Sequence, residues 1–85
     1  MAAYSLFFKE SVRKDFEGIP KKDLRKSLTR IKSLAADPRP PGSEKLTGQH
    51  RYRLRHGRYR IVYAIQDEDR SVTVVKVGHR KDIYR

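Results

Sequence analysis

The sequence predicts an α+β domain in the order β-α-α-β-β-β, a helical hairpin packed on a mainly antiparallel, curved sheet. Three observations carry this. A short aromatic stretch stands near the start, two stretches place apolar residues at helical spacing, and three later stretches of strand character are divided by turn residues. A chain of 85 residues holds one such domain, residues 1–85, with one modest core.

Tyr4 to Phe8 is short, aromatic and bounded by charge, which suits a first strand. Lys9 to Phe16 carries Val12 and Phe16 at i and i+4, a helical spacing, and Gly18 breaks the run. Pro20 then supplies a good first-turn residue for a second helix. In that helix Leu24, Leu28, Ile31 and Ala35 form an apolar stripe, with Lys21, Lys22, Arg25, Lys26 and Arg30 largely off it. It stops by Asp37-Pro38, and Arg39-Pro-Pro-Gly42 is a loop, because proline lacks a donor and disfavours helix in the residue before it. Strands follow over Arg51 to His56, Tyr59 to Gln66 and Ser71 to Gly78, the last two joined by the acidic turn Asp67-Glu68-Asp69.

Gly57-Arg58 between the first two of these strands is a two-residue hairpin turn, with glycine where a positive φ is needed. That fixes a register: His56 faces Tyr59, Arg55 faces Arg60, Leu54 faces Ile61 and Tyr52 faces Tyr63. Beyond Arg60, the strand from Tyr59 to Ile65 is apolar on both sides, so it belongs in the middle of the sheet. Its core face carries Tyr59, Ile61, Tyr63 and Ile65, and Arg53, Arg55 and Arg60 line the opposite face near the hairpin end.

The charge pattern points to a polyanion. The net charge is +11 with 36% charged residues, the footprint of a nucleic-acid binder. Lys45 to Gln66 holds Lys45, Arg51, Arg53, Arg55, Arg58 and Arg60 and no Asp or Glu. Arg55 and Arg60 directly opposite one another repel by a few tenths to about 1 kcal/mol, and with no acid near in sequence a bound phosphate would relieve them. There are no cysteines, which excludes a disulfide scaffold and a thiolate zinc site. The first residues lack the basic start and long apolar run of a signal peptide, and no segment reaches membrane-spanning length. The expectation is a soluble, cytoplasmic protein that meets no membrane.

Tyr52-Arg-Leu-Arg55, Gly57-Arg-Tyr-Arg-Ile-Val-Tyr63, Val77-Gly-His-Arg80 and Ile83-Tyr84, led in by Lys45-Leu-Thr-Gly48, together resemble the RelE/ParE toxin family, closest to its RelE branch. The likeness runs over nearly the whole chain. It implies a toxin of a type II toxin-antitoxin system, an endoribonuclease that enters the ribosomal A site and cuts the mRNA there. In that chemistry a 2′-hydroxyl attacks the adjacent phosphate, giving a cyclic phosphate and a free 5′-hydroxyl, with no metal or cofactor. By the same resemblance Arg53 and Arg55 occupy strand positions where some members have lysines. Arg60 is the phosphate-binding arginine of the next strand, Arg80 the late arginine, and Tyr84 the base-stacking or hydroxyl-orienting tyrosine.

Preorganised cations stabilise the phosphorane's extra charge well, yet a guanidinium is a poor proton acceptor. That leaves His79, beside Arg80, or His56 as general base, or else water or ribosomal RNA. Lys45, Arg51, Arg58 and Lys81 are expected to touch nucleic acid through phosphates. The resemblance also implies a cognate antitoxin in a hetero-oligomer, with operator DNA reached only through that antitoxin. Two other readings are a ParE-like inhibitor of DNA gyrase without nuclease activity and a non-catalytic nucleic-acid-binding module.

Overall fold

The computed structural model describes residues 3–46, 48 and 50–79. In chain order the elements are β1 (Ser5–Phe8), α1 (Val12–Glu17), α2 (Lys21–Ser33), β2 (Ser43–Lys45), β3 (Arg51–His56), β4 (Tyr59–Gln66) and β5 (Ser71–His79). They form one five-stranded sheet in the order β1-β5-β4-β3-β2. Only β1 and β5 run parallel; the other neighbours are antiparallel. The α+β class and the expected elements are present, with one addition. β2 falls where the sequence reads as a loop, so the order becomes β-α-α-β-β-β-β.

β4 takes the central position because its residues suit burial on both sides. Ile61 and Tyr63 are inaccessible on one face, and Val62 and Arg60 are buried on the other. The hairpin register is the expected one: Tyr52 pairs with Tyr63, Leu54 with Ile61, Arg55 with Arg60 and His56 with Tyr59. Gly57 has φ +59°, a conformation that costs a residue with a Cβ about 1–2 kcal/mol, so glycine sets the turn that sets the register.

Both helices cover the Leu54 and Ile61 face. Val12, Ile31, Leu34, Leu54, Ile61, Tyr63, Val72, Val74 and Val77 form the core, with Phe16, Leu24, Leu28, Tyr52 and Tyr59 packed against it. Each large side chain so buried contributes about 1.5–3 kcal/mol. Leu34, not Ala35, closes the stripe of α2, since the helix ends at Ser33 and the following turn swings Leu34 inward. Pro20 stands just outside the helix as its N-cap residue. Ser27 is fully buried within the stripe, and its hydroxyl has no partner.

The proline loop is strapped to the sheet by side chains. The Tyr63 hydroxyl donates to the Pro38 carbonyl at 2.7 Å. Arg39 donates to both oxygens of Asp67, at 3.2 and 2.8 Å, and to the Tyr52 hydroxyl at 3.1 Å. Its guanidinium lies 5.2 Å from the centre of the Tyr52 ring, which in turn stacks on Tyr63. No helix among the described residues is long and apolar enough to cross a membrane.

Candidate functional site

The sheet face away from the helices reads as three rows of cross-strand partners. The first runs Phe7, Thr73, Ala64 and Arg51; the second Lys76, Val62, Arg53 and Glu44; the third Gly78, Arg60 and Arg55. Strand alternation thus brings Arg53, Arg55 and Arg60 together, as the sequence predicts.

Arg60 is the unusual member. It is 5% exposed. Its Nη1 donates to the Tyr59 carbonyl at 3.2 Å, and its buried Nε has no partner. Among the described residues, no carboxylate pairs with Arg60 or with Arg55. Gly78, beside Arg60 on β5, adds no side chain to that face. A buried guanidinium without a counter-ion is costly, and the unsatisfied donor adds to the cost. The arrangement is poised to take an oxyanion between Arg60 and the exposed Arg55, which repel each other until one binds.

Arg53 differs from the expectation of an acid-free cluster. Its Nη2 donates to Glu44 Oε2 at 2.8 Å, because β2 pairs with β3 and sets Glu44 opposite Arg53. Glu44 lies just before the acid-free stretch, and its proximity depends on a strand too short to read from sequence. The same pairing puts Lys45 opposite Tyr52, on the helix face and away from the arginines. Arg51 is exposed on the arginine face, at the far end of β3 from the hairpin.

His79 also falls on the helix face. Between Val62 and Tyr63 the β4–β5 register shifts and Val75 is left without a partner, so His79 pairs with Tyr59 rather than joining Arg60. Its ring stands edge-on to Tyr59 at 6.1 Å, and the Tyr59 hydroxyl donates to Asp23 Oδ2 at 2.9 Å. The Asp23 carboxylate first, and burial second, raise that phenol above its ordinary range. His56 lies on this side too, lining a cavity of about 450 Å³ with Asp23, Lys26, Arg58 and Tyr59. Arg80, Lys81 and Tyr84 lie outside the described residues.

The profile of the family described as "ParE toxin of type II toxin-antitoxin system, parDE" matches residues 6–84. The chain is similar to toxin RelG of Mycobacterium tuberculosis, 31% identical over 86 residues, spanning 96% of this chain and 97% of RelG. Among solved structures it is similar to a chain of the toxin-antitoxin complex RelBE2 from the same organism, with a TM-score of 0.82, 26% identity and coverage of 92% and 99% of the two chains. The isolated RelE toxin of E. coli superimposes with a TM-score of 0.78 and 28% identity, over 96% of this chain and 92% of that one. The hairpin and helix-backed sheet that present the arginines are thus shared with RelE toxins, and the chain belongs to the RelE/ParE family of toxins of type II toxin-antitoxin systems.

Proposed function

We propose that this toxin is an endoribonuclease that cuts mRNA in the ribosomal A site by attack of a 2′-hydroxyl on the adjacent phosphate, with no metal or cofactor, and so stops translation. The observation that carries the reading is Arg60, buried, short of a partner at Nε, and facing Arg55. A fold tolerates that arrangement where an oxyanion completes it. In the reaction Arg55 and Arg60 hold the scissile phosphate and stabilise the phosphorane, an interaction that strengthens as charge develops. Arg53 adds positive charge beside them. Arg80 and Tyr84 take the late phosphate contact and the base-stacking or hydroxyl-orienting role that the RelE resemblance implies, and Arg51, Arg58, Lys45 and Lys81 supply salt-sensitive contacts to ribosome and mRNA phosphates. Residues 1–85 act as one toxin domain, since both helices and the strands β1, β3, β4 and β5 share one core.

Relatives crystallised as toxin-antitoxin complexes support a cognate antitoxin partner that silences this chain. A net charge of +11 favours a partner with an acidic wrapping segment and fast association. Operator DNA is reached only through that partner.

The deciding experiment is primer extension on a defined mRNA in purified translating ribosomes, with the wild-type toxin and with Arg60→Ala. The expected result is a cut inside the A-site codon that disappears in the variant while ribosome binding persists. The matching profile is named for ParE, which favours gyrase inhibition as the second reading. Intact mRNA together with loss of gyrase supercoiling would establish that one instead.

A further inference from the structure

Phe7, Lys76 and Arg60 lie on one diagonal of the arginine face, each one strand and one row from the next: Phe7 on β1 in the first row, Lys76 on β5 in the second, Arg60 on β4 in the third. From this alignment we infer that Lys76 and Phe7 continue the arginine site as a track for single-stranded RNA. Lys76 takes the phosphate next to the one held by Arg55 and Arg60, and Phe7 stacks the base beyond it. The inference rests on the endoribonuclease reading above and extends it from the scissile phosphate to its neighbours.

The spacing suits a strand. Diagonal neighbours on adjacent strands lie about 7–8 Å apart, an interval comparable to that between successive phosphates of an extended ribonucleotide chain. Lys76 is exposed, and among the described residues no carboxylate pairs with it. It faces Val62 across β4, and Gly78 comes next on the same face, so little bulk stands between its stem and Arg60. An ammonium on a flexible stem meets phosphate as a point charge rather than as a fixed fork, which fits a contact outside the reacting centre.

Phe7 has no structural partner to account for it. Its neighbour Phe8 is 46% exposed yet meets Phe16 edge-on at 6.0 Å on the helix side. Phe7 is 55% exposed, points to the opposite face, and makes no ring contact among the described residues. Thr73 and Ala64 continue its row, and Ser5 and Ser71 lie in the row before it. The ring therefore stands above a low floor, with room for a base against it. An aromatic ring on an open sheet beside a line of cations is a general way of holding a single strand: the cations follow the backbone and the ring takes a base.

The test is fluorescence anisotropy of a short labelled single-stranded RNA, 2′-O-methylated throughout so that it cannot be cut, titrated with the free toxin at several salt concentrations. Phe7→Leu keeps an apolar side chain but no ring, and is expected to weaken binding roughly 5- to 100-fold with the salt dependence unchanged. Phe7→Tyr is expected to restore it. Lys76→Met is expected to reduce the slope of log affinity against log salt by about 0.7, the loss of one phosphate contact on a single strand. Wild-type binding by either Phe7→Leu or Lys76→Met would overturn the inference and leave the nuclease reading standing. Unchanged RNA binding together with weakened binding of the cognate antitoxin would do the same, and would assign the face to that partner. Intact A-site mRNA, with RNA binding that still depends on Phe7 and Lys76, would remove the nuclease reading and keep the track as a binding surface. Neither binding nor cleavage by the wild-type toxin would overturn both.

Discussion

Asp15 and Val77 are joined across the two layers of the fold: Asp15 Oδ2, on α1, accepts the backbone N–H of Val77, on β5, at 3.1 Å. The pairing of β1 with β5 ends at Phe8 and Val74. Beyond that point the outer edge of β5 has no neighbouring strand among the described residues, and α1 packs against β5. The carboxylate thus supplies the acceptor that a missing strand does not, one of the ways folds protect a sheet edge.

Asp15→Ala leaves that N–H unpaired under the helix and is expected to destabilise the toxin by about 1–3 kcal/mol. A chain of this size then melts roughly 4–8 °C lower per kcal/mol. Asp15→Asn keeps an acceptor oxygen and should lose much less. Thermal unfolding of the three proteins distinguishes a bonded acceptor from a merely charged one.

Arg60 predicts a divergence between stability and function. Arg60→Met replaces an under-bonded buried cation by an apolar chain of similar length, so the urea midpoint should rise, reflecting a gain of about 1 kcal/mol or more in stability, as mRNA cleavage is abolished. A lower midpoint would mean that Arg60 holds the sheet together and is not kept for a ligand.

Asp67 gives an acid-side prediction. The hydrogen bond from Arg39, first, and that from Tyr4, second, bring its carboxyl down from 3.8 to about 2. A carboxyl lowered on folding contributes stability that is fully present above its unfolded value and is lost as pH falls through the folded one. Urea midpoints should therefore decline between pH 3.8 and about 2, and less steeply in Asp67→Asn. Both side chains of the pair are about half exposed, so added salt should shrink the difference.

Tyr63 gives the alkaline counterpart. Burial, above all, pushes its hydroxyl from 10.0 up to about 12. The neutral phenol is favoured in the fold, so its stabilising effect holds below 10.0 and fades as pH rises through about 12. Absorbance titration should show a phenolate forming near pH 12 in the wild type that is missing from Tyr63→Phe. That variant also leaves the Pro38 carbonyl without its donor, at a cost of about 1–2 kcal/mol.

Those parts of the fold governed by local rules were legible. β3 and β4 end where Gly57-Arg58 and the acidic turn place them, and strict alternation along them gives both the register and the arginine face. β2 was not legible, since Ser43-Glu44-Lys45 has no β-branched or aromatic residue and becomes a strand only by borrowing the edge of β3. With β2 unread, the Arg53 ion pair and the opposite facing of Lys45 were hidden too. In α2 the stripe was right through Ile31, but its last member depended on where the helix stopped. The approach of His79 to Tyr59 rather than to Arg60 reflects a long-range irregularity that no local pattern announces.

That irregularity works as a parity switch. Ahead of Val75 the even-numbered Val72 and Val74 face the helices; after it the odd-numbered Val77 and His79 do. One residue therefore decides which side of the sheet Lys76 to His79 belong to. Were the strand to run through Val75 in regular alternation, Val77 would turn outward and Lys76 and Gly78 would face the core, whereas deleting Val75 itself would keep Val77 inward; elsewhere in this strand a change of two residues in length is tolerated more readily than a change of one. The turn at Asp67 to Arg70, upstream of the switch, is free of that constraint, and length variation in this hairpin should collect there.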